Sequence, residues 1–116
     1  MSFVLGESHI KSVTGKVDIY TPLHEGRRRR VARLEVTVRT LPRDEFMDLL
    51  NSCTDIEVAK ALIENIKPGD AATQATEYTP DLVEKIYQYG WQFHPIYEFV
   101  LAANDERLQR SLHQKN

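Results

Sequence analysis

The chain has 116 residues, 41% hydrophobic and 28% charged, with a formal net charge of −2. That balance belongs to one globular domain and excludes a disordered chain or two large domains. The lone cysteine, Cys53, rules out an intramolecular disulfide and with it a disulfide-stapled secreted scaffold. No apolar run approaches the roughly 18 residues that cross a bilayer, and the first residues lack the basic and long apolar regions of a signal peptide, so a soluble cytoplasmic protein is expected.

The near-neutral total conceals two unlike halves. Residues 1–43 carry nine Lys and Arg against four Asp and Glu, whereas residues 44–116 carry six against thirteen. Such a distribution orients a molecule against a partner or against a copy of itself, because summed surface charge steers association.

From Val13 to Leu41 the hydrophobic period is two. Val13, Gly15, Val17 and Ile19 share one parity, and Ala32, Leu34, Val36 and Val38 share another, with charged or polar residues between them. Each segment reads as a half-buried strand. The Pro and Gly of Thr21–Gly26 permit a tight reversal, which predicts an antiparallel hairpin. Phe3–Leu5 adds a candidate edge strand.

After Pro42 the pattern turns helical. Phe46, Met47, Leu49 and Leu50 recur at spacings of three and four, behind Asp44 and Glu45 in a first turn that favours negative charge. Thr54 or Asp55 offers a capping oxygen for a second helix, whose face Ile56, Ala59, Leu62, Ile63 and Ile66 runs to a stop at Lys67-Pro68-Gly69. Residues 68–78 read as a polar surface loop. Thr79-Pro80 opens a third helix through Leu82, Ile86, Tyr89 and Phe93, weakened at Gly90 and interrupted at His94-Pro95. A last stripe of Ile96, Phe99, Val100 and Ala103 continues towards Leu108 and Leu112, divided at Asn104-Asp105, and the tail from Gln114 frays. Strands first and helices afterwards predict a single α+β domain over 1–116, strand-rich over 1–41 and helical over 42–113: a hairpin or small sheet packed against three to four helices.

No catalytic constellation stands out. The four histidines, His9, His24, His94 and His113, lack metal-ligand spacing, and no phosphate-cradling glycine loop is present, so neither metal nor cofactor is expected. Cys53 before Thr54 reads as a small core or cap-adjacent residue, and Asp44, Glu45 and Asp48, like Asp105 and Glu106, read as surface and caps.

Two groups are candidates for partner binding. Arg27, Arg28, Arg29 and Arg30 at the hairpin tip form a solvated, edge-protecting cluster. The alternatives to that preferred reading are a phosphate contact in a nucleic-acid binder, disfavoured because the sequence places no aromatic platform beside the arginines, and a dock for an acidic protein surface. The second group is aromatic: Tyr87, Tyr89, Trp91, Phe93, Tyr97 and Phe99 fall within thirteen positions. That is more apolar surface than one small sheet covers, so some of it is interface, with Trp91, Tyr89, Phe93 and Tyr97 as candidate anchors.

The basic hairpin from Lys16-Val17-Asp18-Ile19-Tyr20 through Arg39-Thr40-Leu41-Pro42, the acidic helix Asp44–Leu50, and Tyr78-Thr79-Pro80-Asp81-Leu82 with its Pro95-containing helix and Lys115-Asn116 end together resemble the tail assembly chaperones of long-tailed, siphovirus-type bacteriophages and prophages. In that family a strand segment and a polar stretch precede a Thr or Ser helix start, a proline and a last amphipathic helix. The resemblance implies binding without catalysis: coating the tape measure protein, recruiting tail tube protein, and departing before the tail is complete. It implies a protein of the host cytoplasm, absent from the mature virion, able to self-associate, and related to proteins also made in a longer frameshifted form. The alternative is a small nucleic-acid-binding regulator using the basic hairpin tip.

Overall fold

The alternation over residues 13–39 is realised in two long strands. The computed structural model describes residues 11–74 and 77–105. In chain order these form β1 (Ser12–Pro22), a single helical turn at His24–Gly26, β2 (Arg28–Arg39), α1 (Arg43–Ser52), α2 (Asp55–Leu62), β3 (Ile63–Pro68), α3 (Pro80–Tyr87) and α4 (Gly90–Asn104). The sheet is antiparallel with order β1-β2-β3. A three-stranded sheet and four helices make the α+β arrangement read from the pattern. The expected edge strand at Phe3–Leu5, the stripe through Leu108 and Leu112, and the tail lie outside the described residues.

The reversal between β1 and β2 takes Glu25 (φ 61°) and Gly26 (φ 74°) through the left-handed region, and Leu23 N–H donates to the Arg27 carbonyl at 2.7 Å to close it. Left-handed backbone suits Gly26, which has no Cβ to clash. β1 and β2 then pair from Ser12↔Arg39 to Ile19↔Ala32, where Val31 bulges out of the ladder, and resume as Tyr20↔Arg30, Thr21↔Arg29 and Pro22↔Arg28.

That bulge changes which face the arginines occupy. Continued without interruption, the parity of Ala32, Leu34, Val36 and Val38 would set Arg28 and Arg30 on the apolar face. One extra residue flips them to the side of Asp18 and Arg33.

The second correction concerns residues 63–68, where the predicted helix is a strand. α2 ends at Leu62, and Ile63 and Ile66 go on into β3, paired with Val38 and Val36. A bulge explains the misreading. Glu64 is the extra residue between Thr37↔Asn65 and Val38↔Ile63, so residues three apart reach the same face of a strand and mimic the helical spacing. Ser12 Oγ donates to the bulged Glu64 carboxylate. The loop after Pro68 is also less free than its composition suggests. Gly69 N–H donates to the Arg33 carbonyl at 2.7 Å, and Arg33 N–H donates to Thr73 Oγ1 at 2.9 Å, extending the contact along β2.

The third correction is the position of the helix break. α3 stops at Tyr87, and α4 runs through Pro95 to Asn104. Proline inside a helix costs about 3 kcal/mol, but burying Phe93, Ile96 and Val100 on one stripe contributes roughly 1.5–3 kcal/mol each, so packing wins. The caps follow the reading more closely. Thr54 N–H donates to Glu57 Oε1 at 2.8 Å while Glu57 N–H returns a longer bond to Thr54 Oγ1, a reciprocal box at the start of α2. Pro80 opens α3.

Helices cover one face of the sheet. Val17, Ile19, Val36, Val38, Ile63 and Ile66 meet Phe46 of α1, Val58, Ala59 and Leu62 of α2, Val83 of α3, and Phe93, Ile96 and Val100 of α4 in one buried cluster. α4 crosses β1 where Gly15 admits the Phe99 ring; a Cβ there would lie 2.6 Å from that ring. At its far end Asn104 ties α4 to the β2–α1 connection, accepting from Leu41 N–H at 2.8 Å and donating to the Arg39 carbonyl at 3.2 Å. Gly15→Ala should therefore overpack this crossing and destabilise by about 1–3 kcal/mol. Gly90→Ala, whose Cβ meets open space, should stabilise by about 0.4–1 kcal/mol, and urea denaturation of the two variants checks both signs.

Candidate functional site

Among the described residues, two of the concavities border the sheet. The first is an open groove of about 440 Å³ between the apolar side of β2 and β3 and helices α3 and α4, walled by Ile19, Leu34, Ile66, Leu82, Ile86 and Ile96, with Lys67, Lys85, Thr73, Gln74 and Gln92 around them. Val31, pushed out by the bulge and 43% exposed, stands at its edge.

The second is a cleft of about 330 Å³ where the hairpin end meets the first turns of α4, lined by Tyr20, Pro22, Leu23, Gly26, Arg27, Arg28, Trp91, His94 and Pro95. Arginines and an aromatic helix that are far apart in the chain come together here. Tyr20, Leu23, His94 and Pro95 are members of the cleft that the sequence did not single out. Tyr20 carried a local signal, a bulky aromatic on the polar parity just before the turn, but its proximity to residues 91–95 is set by the helix crossing alone.

The four arginines separate in role. The Arg28 guanidinium sits 4.6 Å from the Tyr20 ring centroid, a cation–π contact that the bulge makes possible. Arg30 lies 3.8 Å from Asp18 and 3.9 Å from Asp70. Arg33 holds Asp18 with two bonds, at 2.7 and 3.2 Å. Among the described residues no carboxylate pairs with Arg27, Arg28 or Arg29. Only Arg27 belongs to the turn itself, since Arg28–Arg30 are strand residues, which corrects the placement of the whole run at the tip.

The aromatic anchors divide as well. Phe93 is 6% exposed and belongs to the core, edge-on to Tyr87 at 4.7 Å and stacked on Tyr97 at 5.3 Å. Tyr97 is half-buried, and burial raises its phenol pKa. Trp91 is half-buried in the cleft wall, and Tyr89, 56% exposed, lies 6.1 Å from it. Of the four anchors Tyr89 is thus the exposed one, with Trp91 half-buried beside it in the cleft wall.

Cys53 is partly buried against the core at the end of α1. Among the described residues no three His, Cys, Asp or Glu side chains gather as a metal site would require, and no buried side-chain polar atom lacks a partner. No helix of the described residues is long and apolar enough to cross a membrane. Comparison with protein-family models, curated proteins and solved structures finds no match to this chain.

The Asp18 carboxyl is held below its ordinary value by the hydrogen bonds from Arg33, which outweigh its partial burial, and Asp70 is lowered chiefly by the Thr73 hydroxyl. Carboxylates depressed on folding stabilise the native state above their unfolded pKa, near 4, and lose that contribution as pH falls through the folded value. Asp18→Asn should therefore flatten the fall in melting temperature below about pH 4 relative to the parent, as read from thermal melts across the acid range.

Proposed function

We propose that this protein works by reversible, non-catalytic binding of another polypeptide, and that its role is that of a tail assembly chaperone engaging the tape measure and tail tube proteins in the host cytoplasm. The observation that supports this reading best is the apolar groove between the sheet and α3–α4, open along the exposed Val31 edge. An amphipathic helix laid in such a groove buries its apolar stripe, as recurs in helix-in-groove recognition.

The chemistry suits a temporary hold. A long helical tape measure presents apolar surface until tube subunits cover it, and a modest contact repeated along an extended client combines weak individual affinity with useful avidity. Interfaces of that kind release when a competing surface arrives, which one large obligate contact would not. Self-association along the client belongs to the same proposal.

The alternative, a nucleic-acid-binding regulator, draws on one placement: Tyr20 and Trp91 lie beside Arg27 and Arg28, the aromatic neighbours that a single-strand binder uses. Against it, Arg30 and Arg33 are already engaged by Asp18 and Asp70.

Val31→Glu places a charge at the groove edge on an already exposed position. It should leave the melting temperature within a few degrees while weakening binding to a tape measure segment by at least about tenfold in titration calorimetry. Unchanged affinity would sink the groove reading. Replacing Arg27 to Arg30 by Gln should leave client binding in the groove intact, whereas the regulator reading requires that variant to lose a salt-sensitive oligonucleotide affinity possessed by the parent.

A further inference from the structure

We propose that the cleft between the hairpin end and α4 docks an acidic linear segment of another polypeptide, one carrying an apolar or aromatic side chain between its carboxylates. This rests on the protein-binding reading above and adds to the groove a second contact of different chemistry.

The cleft combines an apolar floor with a cationic rim. Pro22, Leu23, Pro95 and Trp91 line it beside Arg27 and Arg28, and Leu23 is 47% exposed although it is a large hydrophobe. About 330 Å³ lies at the small end of ligand-sized cavities, room for one large side chain rather than for a folded surface. The guanidinium groups of Arg27 and Arg28, with Arg29 next to them, have no carboxylate partner among the described residues. Glu98, one turn beyond His94 on α4, lies 2.6 Å from the His94 imidazole and pairs with none of these arginines.

Two features favour a short acidic peptide over a polynucleotide. First, the unpaired positive charge is brief. Further along β2, Arg30 and Arg33 are covered by Asp18 and Asp70, so an extended polyanion following the strand would run into two ionised carboxylates. Second, Tyr20, the aromatic nearest the arginines, already carries the Arg28 guanidinium on its ring, which leaves it a poorer platform for a base.

Trp91 is the single tryptophan of the chain, so its emission reports directly on the cleft. The probe is a capped Glu-Glu-Phe-Glu-Glu peptide titrated into the full-length protein, with Gln-Gln-Phe-Gln-Gln and a short oligothymidylate as controls. The expected result is a saturable change in Trp91 emission with the acidic peptide alone, weakening as salt is added. The double substitution Arg27→Gln and Arg28→Gln should lower peptide affinity at least about tenfold without moving the melting temperature, the scale of one lost charge-assisted contact.

Absence of a saturable response to the acidic peptide overturns the proposal. So does tighter binding of oligothymidylate, which would assign the cleft to nucleic acid. A shift in emission with protein concentration alone, accompanied by a dimer in sedimentation, would assign it to a second copy of this chain. The groove is judged separately: Val31→Glu should leave peptide binding unchanged, so loss of client binding alongside a silent cleft leaves the groove reading standing, and peptide binding alongside an unaffected client does the reverse.

Discussion

β2 is hydrogen-bonded along both edges, and the two-residue period of that central strand governs everything placed on it. A strand presents alternate residues to opposite faces, so each side chain of β2 is assigned to core or solvent by its register. Val36 and Val38 accordingly reach full burial, while Thr37 between them and Glu35 just before them meet Thr14 and Lys67 on the polar side. The strand reverses this assignment once, at the Val31 bulge. That single inserted residue carries Arg28 and Arg30 to the side of Asp18 and leaves Val31 itself at the edge of the apolar groove.

The polar side of the sheet is organised by carboxylates beside Arg33, to which the bulge adds Arg30. Asp18 takes both Arg33 and Arg30, and Asp70 is oriented by Thr73 N–H and hydroxyl at 2.9 and 2.7 Å. Gly69 permits the approach, because a Cβ there would meet the Arg33 side chain at 2.9 Å and its carbonyl at 3.0 Å. The segment after β3 is therefore fastened to β2 by backbone and side chain together. These contacts are partly exposed, and their weight lies in sorting the arginines into paired and unpaired groups more than in stability.

On the opposite side, α4 supplies both core and surface from one helix. Its Phe93, Ile96 and Val100 stripe is buried, Phe99 fits over Gly15, and Trp91 with Pro95 faces the cleft. An apolar helix with aromatic residues on several sides cannot hide all of them beneath a three-stranded sheet. Trp91 lies where the hairpin end brings cationic side chains, with the exposed Tyr89 ring 6.1 Å from it. Apolar grip and charge selection, the two requirements of a reversible protein contact, are thereby set side by side.

Local chemistry alone determined much of this protein. Alternation specified the hairpin, the capping oxygens of Thr54 or Asp55 the start of α2, Thr79-Pro80 the start of α3, and the lone cysteine the absence of an internal disulfide, because period, capping oxygens and proline geometry act over a few neighbouring residues. Tertiary contact decided the rest. Ile63 and Ile66 have a spacing that both a helix and a bulged strand satisfy, and only pairing with Val36 and Val38 chose the strand. Pro95 breaks a helix by local rules, yet the buried stripe around it held α4 together. The cleft was invisible for the same reason: residues 20–28 and 91–95 are made neighbours by the crossing of α4 over β1, and no short-range pattern encodes that distance.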